Sequence, residues 1–274
     1  MARPAARVGD QHTCPLVDPG PKPHVGGPIA QGSSDVQIGG KPAARMGDPA
    51  TCTGPTDKIA LGSPTVLINE YPAARQGDPT VHGGVIIGGC DTVMIGMGNF
   101  PFPISVNADG SIQVGNNIRI EGTPDFQGRT LGDIGQIATT PSSDPTRDPQ
   151  GLTTLENIDN GRHSVTILET SGANGRISYD RAAAQDPTRG SSSTIEYNPT
   201  FEPSTAADPT IRVPADVVLQ HELAHADHYS SGQADFSPAK NPNNPHRDEE
   251  ITIEEENRYR DDRGIPNRAD HSTA

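Results

Sequence analysis

Apolar positions along the chain follow two different rhythms. Over the first third they fall in short alternating segments, DVQIGG (35–40), TVLINE (65–70) and TVMIGMG (92–98), each bounded by Gly, Pro, Asn or Asp. Alternation over so few residues between turn formers predicts short β-strands joined by tight turns. Between residues 108 and 215 it is less regular: SIQVG, NIRIEG, HSVTILET, RISYD and STIEYN read as strands separated by polar loops, with a helix over 152–160. Beyond residue 213 the period lengthens. Pro214 and Asp216 open a helix, Val217, Val218, Leu219, Leu223 and Ala224 supply its apolar positions, and Gly232 stops it. A second, heavily charged helix is expected over 247–264, closed by Gly264 and Pro266.

The first rhythm is a repeat. RPAARVGD (3–10) returns as KPAARMGD (41–48) and YPAARQGD (71–78). A unit of this size cannot bury an apolar face alone, so the copies must pack on one another, and three of them predict pseudo-threefold closure. The Pro of each copy fixes φ and the Gly-Asp pair permits a sharp turn. With Gly 30 and Pro 27 but only 5 Phe, 5 Tyr and no Trp, the chain has little bulk for a thick core. A metal is therefore expected to pin the narrow end. Soft ligands follow the Gly-Asp turns in GDQHTC, GDPATC and GDPTVH, and PHVGG adds another. Equivalent positions of three repeats meet at the axis, where His12, His24, Cys52 and His82 are the expected ligands of a tetrahedral zinc and Cys14 is left over.

Charge separates the two parts. Residues 1–98 hold 7 Lys and Arg against 8 Asp and Glu, a net of −1, and the remainder holds 14 against 27, a net of −13. So acidic a second part disfavours a nucleic-acid partner, which needs basic patches to displace phosphate counterions. The first residues carry no apolar leader and no stretch is long enough for a membrane span, so synthesis in the cytoplasm without the ordinary secretory route is expected. Cys14, Cys52 and Cys90 are odd in number and far apart, which argues against a disulfide framework.

With these three motifs, residues 1–98 resemble the PAAR-repeat proteins that sharpen the tip of the type VI secretion spike. The resemblance implies a small all-β cone, with its broad face on a trimeric VgrG-like spike protein and zinc at its point. It also implies a route out of the cell for the rest of the chain, since extensions on such tips are commonly toxic cargo. A connector, NFPFPISVN (99–107), is expected before a cargo domain over 108–274.

The cargo's chemistry is written in VVLQHELAHADHY (217–229). His221 and His225 are one helical turn apart on one face and can grip one ion, with Glu222 beside them as a base for water. A catalytic zinc keeps three protein ligands and one open position, so a carboxylate from the second helix is expected to complete the set. The metzincin extension is absent, because position 228 is His where Gly is required; His228 is the minor alternative for the third ligand.

Taken together, HELAHADHY, EEITIEEEN and RGIPNRADH, over roughly 210–271, resemble bacterial effector metallopeptidases of the gluzincin type and, more remotely, clostridial neurotoxin light chains. The resemblance implies an α+β zincin-like domain in which Glu250, the second Glu of a pair, binds zinc and Glu249 sits behind it against a ligating imidazole. It further implies that Arg268 and His271 occupy the places of an Arg-x-x-Tyr that stabilises the oxyanion; His271 departs from the Tyr. The combined expectation is a spike-tip effector with one structural and one catalytic zinc. It would be made in the cytoplasm, be secreted into a target cell, hydrolyse a protein there, and require a cognate immunity protein. Two alternatives are a cargo that cleaves a non-protein amide, such as one in the cell wall, and a structural tip whose extension is a non-enzymatic adaptor.

Overall fold

The computed structural model describes residues 2–20, 22–172, 174–201 and 212–270. The described chain divides into two compact units, one formed by 1–100, 108–110 and 123–135, the other by 101–107, 111–122 and 136–274. No described helix is long and apolar enough to cross a membrane.

The first unit is built from short strands: β1 (Arg3–Ala5), β2 (Val17–Asp18), β3 (Lys22–Pro23), β4 (Gly26–Ile29), β5 (Gln37–Ile38) and β6 (Lys41–Pro42). They continue as β7 (Pro49–Cys52), β8 (Asp57–Lys58), β9 (Ser63–Ile68), β10 (Tyr71–Ala73) and β11 (Cys90–Ile95). The three octapeptides close on one another through the backbone: Ala44 N–H donates to Ala6 O, Ala74 N–H to Ala44 O and Ala6 N–H to Ala74 O, each at 2.9 Å. Where three backbones approach this closely only a methyl fits, which is why the motif carries two alanines. The first of each pair, Ala5, Ala43 and Ala73, packs in one layer with Ile38, Ile68 and Ile95. The second, Ala6, Ala44 and Ala74, packs in the next with Ile29, Ile59 and Ile86.

The rest of the motif secures its turn. Arg7, Arg45 and Arg75 each point the guanidinium and the backbone N–H at the aspartate three residues on, Asp10, Asp48 and Asp78. The glycines between them, Gly9, Gly47 and Gly77, have φ of +88, +85 and +84°, a region a side chain would strain.

The second unit holds β12 (Ile104–Val106), β13 (Ile112–Val114), β14 (Ile118–Glu121), β15 (Val165–Glu169), β16 (Arg176–Tyr179) and β17 (Ser193–Tyr197) in one sheet of order β12-β13-β14-β15-β17-β16. β12, β13 and β14 form an antiparallel meander, β15 runs parallel to β14 and β17, and β16 is an antiparallel edge strand. Alternate residues Ile112, Val114, Ile118, Ile120, Val165, Ile167, Ile195 and Tyr197 are buried, as a sheet with one covered face requires. The helices are α1 (Pro124–Thr139), α2 (Gln150–Asn160), the short α3 (Arg181–Ala184), α4 (Ala215–Ser231) and α5 (Arg247–Arg263). α4 packs on β16 and β17, and α2, α4 and α5 pack on one another.

Two elements depart from the sequence reading. Ile104–Val106, inside the expected connector, is a strand paired with β13. α1 occupies a stretch for which no helix was expected, because Gly128, Gly132 and Gly135 hide its helical period. Within the first unit those glycines have a use: a Cβ on Gly135 would stand 1.8 Å from the Pro64 carbonyl oxygen.

Candidate metal centres

Four soft side chains meet in the first unit. Cys14, His24, Cys52 and His82 bring one donor atom each within 4.8 Å of one another. Cys52 Sγ lies 3.3 Å from Cys14 Sγ and 3.4 Å from His24 Nδ1, and Cys14 Sγ lies 3.7 Å from His82 Nδ1. The close approach of the first and third repeats is made possible by Gly84, where a Cβ would fall 1.7 Å from the Thr13 carbonyl oxygen.

His12, expected in this cluster, is not in it, and Cys14 takes the place it was denied. The His12 side chain lies fully buried, with Nδ1 2.8 Å from Gly27 O and Nε2 3.3 Å from Asp57 Oδ2. Asp57 also accepts hydrogen bonds from the His82 and Lys58 backbone N–H groups. His12 thus lies in an inner layer, its ring on Gly27 O and beside a carboxylate contributed by another repeat, and Cys14, two residues on, reaches the cluster. Cys14→Ser is therefore expected to strip a metal from the first unit. His12→Ala should retain it and instead lower stability by about 1–3 kcal/mol, the cost of leaving a buried partner unsatisfied. Metal content and thermal melting of the two variants distinguish these outcomes.

The second cluster is built by α4 and α5. Pro214 precedes α4, and Gly232 ends it at φ +72° with its N–H on the His228 and Tyr229 carbonyls. The four-residue spacing stacks the His221 and His225 rings edge to face, with centroids 4.9 Å apart. α5 starts at His246, whose side chain accepts the Glu249 N–H. Its first turn then presents Glu249, with Oε1 3.4 Å from His221 Nε2 and Oε2 3.3 Å from His225 Nε2. The rear nitrogens are held as well, His221 Nδ1 by Glu256 at 2.9 Å and His225 Nδ1 by Asp248 at 2.7 Å. Both Nε2 atoms consequently face the carboxylate. One buried oxygen, Glu249 Oε1, has no hydrogen-bond partner, as expected of a donor reserved for something else.

Glu250, the expected third ligand, points away: its carboxylate takes the Asn241 backbone N–H and the Arg247 guanidinium. Adjacent helix residues differ by about 100° in direction, and the face turned toward α4 is the one carrying Glu249. Glu256, seven residues later, returns to within about 20° of that face. It accepts from Arg260 Nε at 2.6 Å and from Arg268 Nη1 at 3.0 Å. The expected positions of Glu249, behind a histidine, and Glu250, at the centre, are thus replaced by Glu256 and Glu249.

The PAAR-motif family matches residues 19–88, and the effector-protein family of M91 peptidases matches residues 115–252, half of the chain. The chain belongs to the M91 peptidase effector family. Its M91 segment follows a PAAR segment, so a peptidase-family effector domain is joined to a PAAR domain. A comparison with curated proteins found no match. The M91 match includes His221, Glu222, His225, Asp248 and Glu249 and ends before Glu256 and Arg268.

The electrostatics of the M91 cluster are set by burial against paired charge. Burial opposes a charged imidazole, yet Glu249 and Glu256 lift His221 to about 10. His225 is likewise raised, against its burial, by Asp248 and Glu249. Burial would push the carboxyls up, but His225 and His228 hold Asp248, and His221 and His225 hold Glu249, well below the usual range, and His221, Arg268 and Arg260 bring Glu256 down to about 2. Carboxylates set against imidazoles in this way make a donor set compatible with a cation. Glu222 differs: it is buried, and desolvation raises its carboxyl above the usual value, with His221 and His225 opposing.

Arg268 does reach the site, but it is committed to Glu256 and lies 3.9 Å from Glu249, and its N–H is held by Asn257. This placement sets the guanidinium against the two carboxylates that face His221. His271 lies outside the described residues. Sequence reasoning weighed Cys14 and left it over, and it assigned no place at the site to Asp248 or Glu256. The 249–256 heptad was the available signal for the last, since two turns return a helix to the same face.

Proposed function

We propose that the chain is a type VI spike-tip effector that carries a zinc endopeptidase into a neighbouring cell. The observation that carries this reading is the convergence of His221 Nε2, His225 Nε2 and Glu249, with Glu222 buried beside them, inside the segment matched by the M91 peptidases. Two imidazoles and a carboxylate with a partnerless oxygen suit a zinc that keeps an open position, and two thiols with two imidazoles suit a closed structural zinc. His221, His225 and Glu249 would hold the first; Cys14, His24, Cys52 and His82 would hold the second.

Zinc, when bound, supplies Lewis acidity for a water and for the substrate carbonyl. The remaining work falls to side chains. Glu222, with a carboxyl raised by burial, accepts the water's proton and returns it to the leaving amine, a task suited to a group titrating nearer neutrality than an exposed carboxylate. Glu256 and Asp248 keep the imidazoles turned with Nε2 inward, and Arg268 with Arg260 steadies Glu256. The PAAR segment supplies the delivery: a broad face for a trimeric VgrG-like spike protein that carries the cargo out of the cell. Such a cargo requires a cognate immunity protein in the cell that makes it.

The test is a substrate screen on the purified full-length chain together with its metal content. Two zinc ions per chain and chelator-sensitive cleavage of peptides support the reading. Cleavage of cell-wall amides with peptides left intact would transfer it to a non-protein amide. A chain that binds metal only through its PAAR segment would be a tip with an adaptor.

A further inference from the structure

α4 and α5 carry another imidazole and carboxylate directly beside the cluster. His228 follows His225 by three residues on α4, and its Nδ1 lies 3.0 Å from Asp248 Oδ1. The other Asp248 oxygen lies 2.7 Å from His225 Nδ1, and the Asp248 side chain is fully buried. One carboxylate is thereby divided between two imidazoles. On the far side of the His228 ring, Nε2 stands 3.4 Å from Glu255 Oε1. His225, His228 and Asp248 also bring donors together, but Asp248 already serves both Nδ1 atoms, so the group is satisfied internally and makes a poor ion site.

His225 Nδ1 has a second neighbour, the Thr252 hydroxyl at 3.1 Å. A buried anion and a neutral hydroxyl therefore compete for one ring nitrogen. The anionic acceptor makes the stronger bond and leaves Nε2 the better donor toward a cation. Asp248 can hold that position only while its other oxygen is satisfied, since a buried carboxylate oxygen without a partner is costly and will reorient to find one.

We infer that His228 is a positioning residue of the metal centre: by binding Asp248 Oδ1 it keeps Asp248 Oδ2 on His225 Nδ1 and so strengthens the hold of His221, His225 and Glu249 on their metal. This rests on the reading of those three residues as a metal site. The full-length chain is loaded with zinc, titrated with a competing chelator, and its retained zinc counted, with the PAAR cluster as an internal reference.

His228→Ala is expected to weaken one of the two zinc ions by about 10–100-fold, the range for loss of a partner behind a ligating histidine. The other ion stays unmoved. His228→Asn, whose amide nitrogen stands where Nδ1 stands, should stay near the parent, and melting of the zinc-free variants shows that both fold. Zinc affinity unchanged in His228→Ala overturns the inference, and so does equal weakening in both variants. A parent chain that retains only the PAAR zinc would instead remove the metal reading of His221, His225 and Glu249, and this inference with it.

Discussion

Glu222→Gln is expected to reduce peptide hydrolysis by at least about 10²-fold while leaving both zinc ions in place, the usual scale for loss of a general base. The substitution keeps the shape of the side chain and removes only its basicity. Glu222 is not among the three groups whose donors converge, and burial raises its carboxyl where it holds Asp248 and Glu249 close to charged partners that lower theirs. The chain just before the edge strand passes close to it: a Cβ on Gly175 would come within 2.6 Å of Glu222 Oε1. The measurement is the rate on a cleaved peptide together with zinc per chain. Full activity in the variant would place the proton transfer elsewhere, and loss of zinc would make Glu222 a ligand.

Glu249→Ala is expected to remove one zinc ion and all hydrolysis, whereas Glu250→Ala should keep both. Glu249 is the only carboxylate among the described residues whose two oxygens stand at 3.3–3.4 Å from the Nε2 atoms of both histidines. Its removal leaves two imidazoles, too few for a site that needs three protein ligands. The loss of affinity should exceed the roughly 10–100-fold that follows removal of a group behind a ligand. Glu250 is spent on the Asn241 backbone and on Arg247, so its loss should loosen the 241–247 turn and leave the centre intact. Chelator titration of the two variants ranks them, and the opposite ranking would return the ligand to Glu250.

What could be read along the chain was whatever depends on local spacing. Three copies of one octapeptide require closure among themselves, and the cyclic bonds of Ala6, Ala44 and Ala74 are that closure. Four residues between His221 and His225 place two imidazoles on one face of any helix, wherever that helix is packed. The strand STIEYN announced itself by alternation because one side of it meets the core. α1 did not, because its glycines are retained for close backbone approach.

Which groups from distant elements join each cluster emerged only in the tertiary structure. α5 buries Ile253 and Tyr259 but also Asp248, Glu249, Glu250, Thr252, Glu256 and Arg260, so its inner side carries no continuous apolar stripe from which its rotation could be read, and spacing alone did not separate Glu249 from Glu250. His12 and Cys14 lie two apart and share a side of the chain; which of them stays inside depends on Asp57, brought from another repeat. Period and spacing fix the direction of a side chain relative to its own element. The depth and rotation of that element depend on what it packs against, and which carboxylate joins the two histidines and which soft side chain completes the other cluster follow from that contact.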